Sequence, residues 1–452
     1  MSYEHLIFVS IPGLRTRDLE HMPRLRAVAK NGAVRELIPT FPCVTSPVQA
    51  NMLTGKTPNE HGIIGNGFYF RDQGDVELWV GRNGLIESRQ LWDSLAERGI
   101  SQAAWIPQNI KDAAADFIVT PEPIHHPDGR TELWCYSKPD GLYERLLKDL
   151  GHFPLMNFWG PMANVRSTEW IVNAALWLIQ RERPRFNYLY FPHLDYQAQK
   201  HGPNSEQQVA ACREADEQLG RFFDGMDSIG IKEAAYLVVS EYAMTDVSRV
   251  LYPNRMLRDA GMVKIDEREG TEFINLKESL AFAVVDHQFA HVYVKDKTDI
   301  DAVSGIFEGL DGIADVRCPQ SPLGGKREAP VREDDRYFID HPRSGEVVLV
   351  CEPDTWLAYY WWHDDAKAPP FAHTVDIHNK PGYDPVEMFI NMETKQTPLD
   401  ATLVKGSHGA PADSPEQYGA CIVSDAALMP NDDAVRDTEI RAIIETGLSS
   451  PS

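Results

Sequence analysis

The stretch Pro42-Cys-Val-Thr45-Ser-Pro is followed by Thr54-Gly55 and then by Glu60-His-Gly-Ile-Ile-Gly-Asn66. Thr45 stands just ahead of an apolar run, Ala50-Asn-Met-Leu, that predicts the first turns of a helix. Free N–H groups at a helix N-terminus favour an anion, so this place suits a phosphate group. A hydroxyl there can act as a covalent nucleophile once its proton is removed. The alternative is that Thr45 only caps the helix, and the spacing alone favours the cap.

The segment from Ile38 to Asn66 resembles the nucleophile region of the alkaline phosphatase superfamily. It is most similar to the nucleotide pyrophosphatase/phosphodiesterase branch, in which the Thr is followed by a Thr-Gly and by a His-Gly-Ile-Gly-Asn run. This resemblance places Thr45 on the nucleophile and Asn66 on the residue that hydrogen-bonds a phosphate oxygen. Later landmarks of the family follow in the same order, so the resemblance extends over most of the chain.

Length and composition bound the class of protein. The chain has 452 residues, which suits a large α/β enzyme core with an inserted cap. No stretch approaches the ~20 apolar residues of a membrane span, and no signal peptide is visible, so we expect a cytoplasmic protein without a membrane partner. The net charge of −23 argues against a nucleic acid polymer as partner. The six cysteines form no Cys-x-x-Cys pair, which leaves a zinc knuckle or redox motif unsupported.

Short apolar strands alternate with helical patterns along the chain. This alternation predicts an α/β fold, and the resemblance implies an alkaline-phosphatase-like core: a mostly parallel sheet flanked by helices on both faces. Three predicted strands end at Ser10, Phe191 and Ser240. Because sites in such sheets form at the carboxyl ends of the strands, we expect the loops after these residues to converge.

The sequence pattern changes after Arg255. We therefore predict a small α+β cap insertion over residues 257–338, between a first core part, 1–256, and a second core part, 339–452. The run Gly345-Glu-Val-Val-Leu-Val is predicted to return to the core sheet, and residues 436–448 to form a closing amphipathic helix.

The family uses two metal ions, and the site that would hold Thr45 is altered here. Pro12-Gly13 stands where the family has Asp-Gly after the first strand, and proline cannot bind a metal. The strand end Val238-Val-Ser-Glu241-Tyr242 resembles the family's Ser-Asp-His. Glu241 thus keeps a carboxylate, as a general base or a metal ligand, and Tyr242 replaces a histidine. Tyr242 could bind only as a phenolate, although a phenol is normally protonated at neutral pH.

The second metal site keeps more of its ligands. The loop around Asp195 resembles the family's Asp-x-x-x-His-x-x-Gly-Pro, with Gln199 in place of the histidine. Near the C-terminus, Gly406-Ser-His408-Gly resembles Gly-Thr-His-Gly, so His408 is retained. A carboxylate, an imidazole and an amide oxygen can make a three-ligand site. We therefore predict one divalent ion, zinc by preference, bound by Asp195, Gln199 and His408.

Two further carboxylate–histidine clusters could add ligands. For Asp286-His287 we favour a polar pair held in the cap by the adjacent apolar strand. For Asp376 and His378 a surface pair and a role at the site stay equally open, because both lie closer to His408 in the chain. If the segment is extended, both side chains lie on one face.

The remaining aromatic and histidine candidates have mostly structural interpretations. His61 is predicted to orient the loop that carries Asn66, and His291 to be packed in a strand. His193 could point into the cleft of Asp195. The aromatic run 356–362 is predicted to be core, with a stacking wall for a substrate ring as the minor alternative.

Pro12-Gly13 and Asp376-Ile-His-Asn-Lys-Pro-Gly-Tyr-Asp-Pro resemble a subgroup of phosphodiesterase-like proteins from bacterial secondary-metabolite gene clusters. The resemblance implies a hydrolase of a phosphate ester or phosphodiester in small-molecule metabolism, with Thr45 as nucleophile and a phosphorylated small molecule as substrate. The alternative is a catalytically silent relative that binds a phosphorylated metabolite or a partner protein. A phosphomutase or transferase that uses the same Thr45 also remains open.

Overall fold

Strands and helices alternate through most of the chain, as the sequence pattern predicts. The computed structural model describes residues 3–125, 131–319, 336–377 and 379–449. The strands, in chain order, are β1 His5–Ser10, β2 Ala33–Ile38, β3 Gly67–Phe70, β4 Asp75–Leu78, β5 Gln102–Trp105, β6 Phe117–Pro121, β7 Ile124–His125, β8 Thr131–Glu132, β9 Cys135–Lys138, β10 Phe186–Tyr190, β11 Ala234–Val239, β12 Thr245–Asp246, β13 Arg249–Leu251, β14 Ile265–Arg268, β15 Thr271–Ile274, β16 Ala281–Asp286, β17 Phe289–Val294, β18 Ile313–Arg317, β19 Val347–Cys351, β20 Thr355–Leu357, β21 Gly406–Ser407, β22 Gly419–Val423 and β23 Ala434–Arg436. The α-helices are α1 Pro23–Ala29, α2 Thr45–Thr54, α3 Pro58–His61, α4 Leu91–Glu97, α5 Leu142–Leu150, α6 Arg166–Glu182, α7 His193–His201, α8 Glu206–Ser228, α9 Pro253–Asp259, α10 Ile300–Phe307 and α11 Ile440–Gly447. Short 3₁₀ turns connect several of them.

The core is a large central sheet in the order β23-β2-β22-β11-β1-β10-β5-β6-β9. Its middle strands, from β11 through β1, β10 and β5 to β6, are parallel to one another. Strands β22 and β9 run antiparallel to their neighbours. All six residues of β1 are buried, as expected for a parallel strand that is covered on both faces. The predicted α/β class with a mostly parallel sheet is confirmed.

Helices cover both faces of this sheet, and alternate residues of β1 face two separate apolar clusters. Ile7 and Val9 pack in a cluster with residues of α1, α6 and α8. Leu6 and Phe8 pack in a second cluster with residues of α2, α4 and α11. None of the helices in the described ranges combines the length and the apolar character that a membrane span requires.

The loops that leave the middle strands converge, as the sequence predicts. Strand β1 lies between β10 and β11, and their carboxyl ends reach the same edge of the sheet. The backbone N–H of Phe191 donates to the Ser10 carbonyl at 2.8 Å, and that of Ile11 donates to the Val239 carbonyl at 2.8 Å. These bonds tie the three loops together where they begin.

A second, antiparallel sheet in the order β16-β17-β19-β18 forms the cap sheet. The prediction that the run beginning at Gly345 returns to the core sheet is wrong, because β19 pairs with β17 and β18. All five residues of β19 are buried. A short apolar run that is buried on both faces carries no sign of which sheet it joins, so only the tertiary pairing decides.

The β16–β17 hairpin, which turns at His287-Gln288, points from the cap sheet toward the loops of the core. The backbone N–H of Gln288 donates to the His408 carbonyl at 3.0 Å, and that of Tyr383 donates to the Val285 carbonyl at 3.0 Å. His287 has φ of +60°, a left-handed conformation that is uncommon outside glycine. The hairpin tip is therefore held by backbone bonds on two sides.

Candidate active site

Thr45 is the first residue of α2, and its side chain is only 3% exposed. Val44 occupies the N-cap position, so Thr45 does not cap the helix as spacing alone suggests. The Thr45 hydroxyl instead lies 3.0 Å from the hydroxyl of Tyr242. It therefore faces the loop after β11, where the sequence places other site residues.

Asn66 reaches the start of the same helix through a loop that a histidine fixes. Nδ1 of His61 accepts the Ile63 N–H at 3.1 Å, so its Nε2 donates to Asn51 Oδ1 at 2.6 Å. Burial lowers the pKa of His61 to about 3 and keeps it neutral. At the end of this loop, Asn66 Oδ1 accepts the Ser46 N–H at 3.0 Å. The predicted structural role of His61 is confirmed.

The Asp286-His287 pair also lies at this site, whereas the sequence favoured a purely structural pair in the cap. Asp286 accepts the backbone N–H of Asn66 at 2.7 Å and its side-chain N–H at 3.0 Å. His287 Nδ1 lies 2.7 Å from Asp286 Oδ1. Burial raises the pKa of Asp286 to about 6. A polar pair between two apolar runs indicates a turn, but the sequence does not reveal where the turn points.

Glu241 is fully buried behind Thr45. Its Oε1 accepts hydrogen bonds from the Ser10 hydroxyl and from Gln49 Nε2, the latter at 2.7 Å. Its Oε2 has no hydrogen-bond partner among the described residues. Burial raises the pKa of Glu241 to about 8, although the hydrogen bonds from Ser10 and Gln49 and the nearby Thr45 hydroxyl act in the opposite direction. This carboxyl is protonated at neutral pH and becomes a base under mildly alkaline conditions.

Four rings form a continuous column across the site. Tyr242 stacks on His408 with ring centroids 3.6 Å apart and planes 5° apart. His408 contacts His287 at 3.8 Å, and His287 stacks on Tyr383 at 3.8 Å. Burial raises the pKa of Tyr242 well above its ordinary value, so it is a neutral phenol here. A phenolate metal ligand at this position is not supported.

Asp195 lies in the first turn of α7, and Gln199 lies one turn further on the same face. Asp195 accepts a hydrogen bond from Gln199 Nε2 at 2.6 Å and one from the Tyr242 hydroxyl at 3.3 Å. The side-chain oxygen Oε1 of Gln199 accepts the Tyr383 hydroxyl at 2.9 Å. Burial raises the pKa of Asp195 to about 7. Gln199 thus presents its amide hydrogens, not its oxygen, to the carboxylate.

The residues present do not fit the two-ion arrangement that the resemblance implies. At the Thr45 side, Pro12 supplies no ligand, Tyr242 is neutral, and Glu241 is engaged by donors. In the parts of the chain that the structure describes, no group of three or more His, Cys, Asp or Glu side chains is arranged to hold a metal.

A single cation fits better between Asp195 and His408. His408 Nδ1 bonds the Cys43 carbonyl at 2.8 Å, which leaves Nε2 with its lone pair. That Nε2 is buried, has no hydrogen-bond partner in the described ranges, and lies 3.7 Å from Asp195 Oδ1. Burial lowers the pKa of His408 well below its ordinary value, so it is neutral and can ligate. Two facing lone-pair atoms are an arrangement that a cation would satisfy.

Two histidines that the sequence analysis considered, His193 and His291, bond to other parts of the protein. His193 points to Glu214 on α8, with 2.6 Å between Nε2 and Oε2, and not into the cleft. His291 is buried and bonds the Ile64 carbonyl at 2.9 Å, which confirms its packed role.

The carboxylate–histidine cluster of Asp376 and His378 is only partly described by the structure. Asp376 Oδ1 accepts the Asn379 N–H at 3.0 Å. His378 lies outside the described residues.

In the aromatic run 356–362, the rings of Trp356, Trp361 and Trp362 are at most 2% exposed, so they are core and form no stacking wall.

Comparison with known proteins identifies the family of the chain. The model of the type I phosphodiesterase / nucleotide pyrophosphatase family matches residues 6–384. The ectonucleotide pyrophosphatase/phosphodiesterase family member 1 of Rattus norvegicus is 24% identical over 236 residues, which is 51% of this chain and 22% of that protein. The matched region thus spans about a fifth of that curated relative.

Two solved structures share the fold over nearly the whole chain. Phosphonoacetate hydrolase from Sinorhizobium meliloti 1021, in complex with phosphonoformate, has a TM-score of 0.63 at 17% identity and covers 98% of this chain and 96% of its own. An inactive threonine-to-alanine variant of murine ectonucleotide pyrophosphatase/phosphodiesterase 5, in complex with AMP, has a TM-score of 0.62 at 15% identity and covers 99% and 95%. Because the family model matches most of the chain, this protein belongs to the type I phosphodiesterase / nucleotide pyrophosphatase family, within the alkaline phosphatase superfamily.

Proposed function

We propose that the protein hydrolyses a phosphodiester or pyrophosphate bond of a small phosphorylated molecule, with Thr45 as the covalent nucleophile. The observation that carries this proposal is the buried Thr45 hydroxyl, which lies at a helix N-terminus beside Tyr242 and within hydrogen-bonding reach of Glu241. A helix N-terminus favours the charge of a phosphoryl group. The inactive threonine variant named for the murine neighbour is consistent with this choice.

The first chemical step forms a covalent phosphoryl-enzyme. Thr45 Oγ attacks phosphorus while its proton passes to the Glu241 carboxylate, and the Tyr242 hydroxyl holds the Thr45 oxygen in place. The bond between phosphorus and the departing oxygen breaks on the side opposite Thr45, and that oxygen takes a proton from solvent while Glu241 keeps the proton of Thr45. The first product leaves as an alcohol or a phosphate.

The second step restores the enzyme. Water attacks phosphorus from the side opposite Thr45 and releases one proton to solvent, and the bond from phosphorus to Thr45 Oγ breaks. The Thr45 oxygen then takes the proton from Glu241. The net reaction consumes one water and releases a phosphomonoester. Asn66, which lies beside Ser46 at the start of α2, would donate its side-chain N–H to a phosphate oxygen in both steps.

We further propose that Asp195 and His408 hold one divalent ion, zinc by preference. When bound, such an ion supplies positive charge for the phosphoryl oxygens. Gln199 is expected as a ligand only if its amide turns, because its oxygen is bonded to Tyr383. Because the net charge of the chain is −23, the positive charge for a phosphorylated substrate has to be local, from such an ion or from the N-terminus of α2.

A second candidate is a silent family member that binds a phosphorylated metabolite or a partner protein. The replacement of ligands by Pro12 and Tyr242 favours it, as does the burial of Thr45. It predicts phosphate binding without turnover.

An aryl phosphodiester assay separates the two functions. We would assay the parent with Thr45→Ala and Glu241→Gln, and search for a phosphorylated Thr45 peptide by mass spectrometry after acid quenching. The hydrolase proposal expects weak parent activity that both variants lose. Activity that survives Thr45→Ala would exclude the covalent mechanism, and a parent that is silent with every metal and diester would favour the binding protein.

A further inference from the structure

Asp286 belongs to the cap sheet, but its hydrogen bonds reach into the core site. It is the last residue of β16, and both of its carboxylate oxygens accept N–H groups of Asn66, at 2.7 Å and 3.0 Å. The approach is close: a Cβ at Gly65 would lie 3.3 Å from Asp286 Oδ2. The absence of a side chain at Gly65 therefore leaves room for this carboxylate beside the loop.

The two ends of the Asn66 amide are fixed by different partners. Its oxygen accepts the Ser46 N–H at 3.0 Å, at the start of α2, and its nitrogen donates to Asp286. An amide nitrogen carries two hydrogens, and Asp286 takes one of them. The other hydrogen has a fixed direction as long as both partners stay in place.

The hairpin that carries Asp286 is firmly anchored. His287 lies between His408 and Tyr383, with ring centroids 3.8 Å from each, and its Nδ1 lies 2.7 Å from the Asp286 carboxylate. The backbone bonds of Val285 and Gln288 hold the tip from two sides. A hydrogen-bond donor that is fixed in this way needs little reorganisation when negative charge develops on the phosphoryl oxygens.

We propose that Asp286 is a positioning residue that aims the second side-chain N–H of Asn66 at a phosphate oxygen of the substrate. The cap hairpin is then a part of the active site, and Asp286 acts through Asn66 without touching the substrate. This inference rests on the proposed function, because it assigns the partner of the same phosphate-binding group.

A double-mutant cycle tests the inference. Asp286→Asn and Asn66→Ala would be made singly and together, with Asp296→Asn as the matched control, an exposed carboxylate of the same cap that bonds Thr298. We expect each single variant to lower kcat/KM for an aryl phosphodiester by about 100-fold. In the Asn66→Ala background, Asp286→Asn should add less than about twofold, because its partner is already gone. The control should stay within about twofold of the parent.

The exchange Asn66→Asp with Asp286→Asn keeps the test decisive if Asp286→Asn alone does not fold. The exchange retains an acceptor for the Ser46 N–H and a side-chain bond between the two positions, but it removes the amide donor of Asn66. We expect this variant to melt like the parent and to lose turnover. A folded exchange variant with parent-like activity would overturn the proposal.

The phosphate affinity of the same variants is measured by isothermal titration calorimetry with inorganic phosphate. This measurement separates failure of the proposed function from failure of the positioning role. If the parent hydrolyses no diester, the proposed function fails, and the cycle is then judged by phosphate affinity. Equal, non-additive losses of affinity support the positioning role. Effects that multiply in the double variant, an Asp286→Asn variant within twofold of the parent, or a parent that binds no phosphate overturn it.

Discussion

Replacing Glu241 by glutamine should stabilise the protein at alkaline pH. Burial raises the pKa of this carboxyl from its ordinary value of 4.5 to about 8. The folded state therefore keeps a proton that the unfolded chain releases above pH 4.5. Stability is lost as the pH rises through this window, and the loss is complete above pH 8. The glutamine side chain stays neutral and can still accept the hydrogen bonds of Ser10 and Gln49.

The size of the effect follows from the difference between the ordinary pKa of 4.5 and the pKa of about 8 in the folded protein. At ~1.4 kcal/mol per pKa unit, the shift corresponds to roughly 5 kcal/mol as an upper limit. Relaxation of the buried site reduces it, so we expect Glu241→Gln to gain about 2–5 kcal/mol over the parent at pH 9 and little at pH 4.5.

Urea unfolding of the metal-free parent and the variant at pH 5, 7 and 9 measures this difference. Glu60→Gln is the control, because hydrogen bonds from Lys56 and Thr57 lower the pKa of Glu60 and its replacement should be mildly destabilising at neutral pH. Parent and Glu241→Gln curves that stay parallel from pH 5 to pH 9 would refute the reasoning, since they would show that Glu241 is ionised in the folded state.

The remaining predictions concern turnover and metal. Thr45→Ala should lower aryl phosphodiester hydrolysis by about 1,000-fold or more while the melting temperature stays near that of the parent, and Thr45→Ser should keep measurable turnover; equal loss in both variants would point to a packing role. The pH–rate profile should rise through about pH 8 as Glu241 ionises, and a flat profile from pH 6 to pH 9 would count against Glu241 as the base. Elemental analysis after dialysis should find at most one zinc per chain, and Asp195→Asn or His408→Ala should abolish it; two equivalents would mean that other ligands rebuilt the lost site.

Part of the candidate site could be foreseen because it depends on residue order along a known scaffold. Thr45, Asp195 and His408 each follow a local motif, and the parallel strands bring the loops that carry them to one edge of the sheet. Hydrogen bonds link Thr45 to Tyr242 and Tyr242 to Asp195, the ring of His408 stacks on Tyr242, and His408 Nε2 lies 3.7 Å from Asp195 Oδ1. The local motifs thus predicted which residues would meet.

Other features could not be foreseen, because they depend on how two sheets pack. The orientation of the Gln199 amide is fixed by Tyr383, which lies 184 residues away in the chain. The approach of Asp286 to Asn66 spans 220 residues. Neither contact follows from a family landmark or from the parallel strand order of the core, because each depends on how other segments pack against it.

The amino-acid sequence by itself determined the alternation of strands and helices, the family landmarks and the loss of metal ligands at Pro12 and Tyr242, because strand and helix periodicity and residue identity are local properties. Only the tertiary structure decided that β19 joins the cap sheet, that Asp286 reaches the site, and that buried Glu241 keeps its proton at neutral pH. The physical reason is that strand pairing and burial depend on contacts between segments that are distant in the chain. The pKa shifts follow because these contacts remove water from the buried groups.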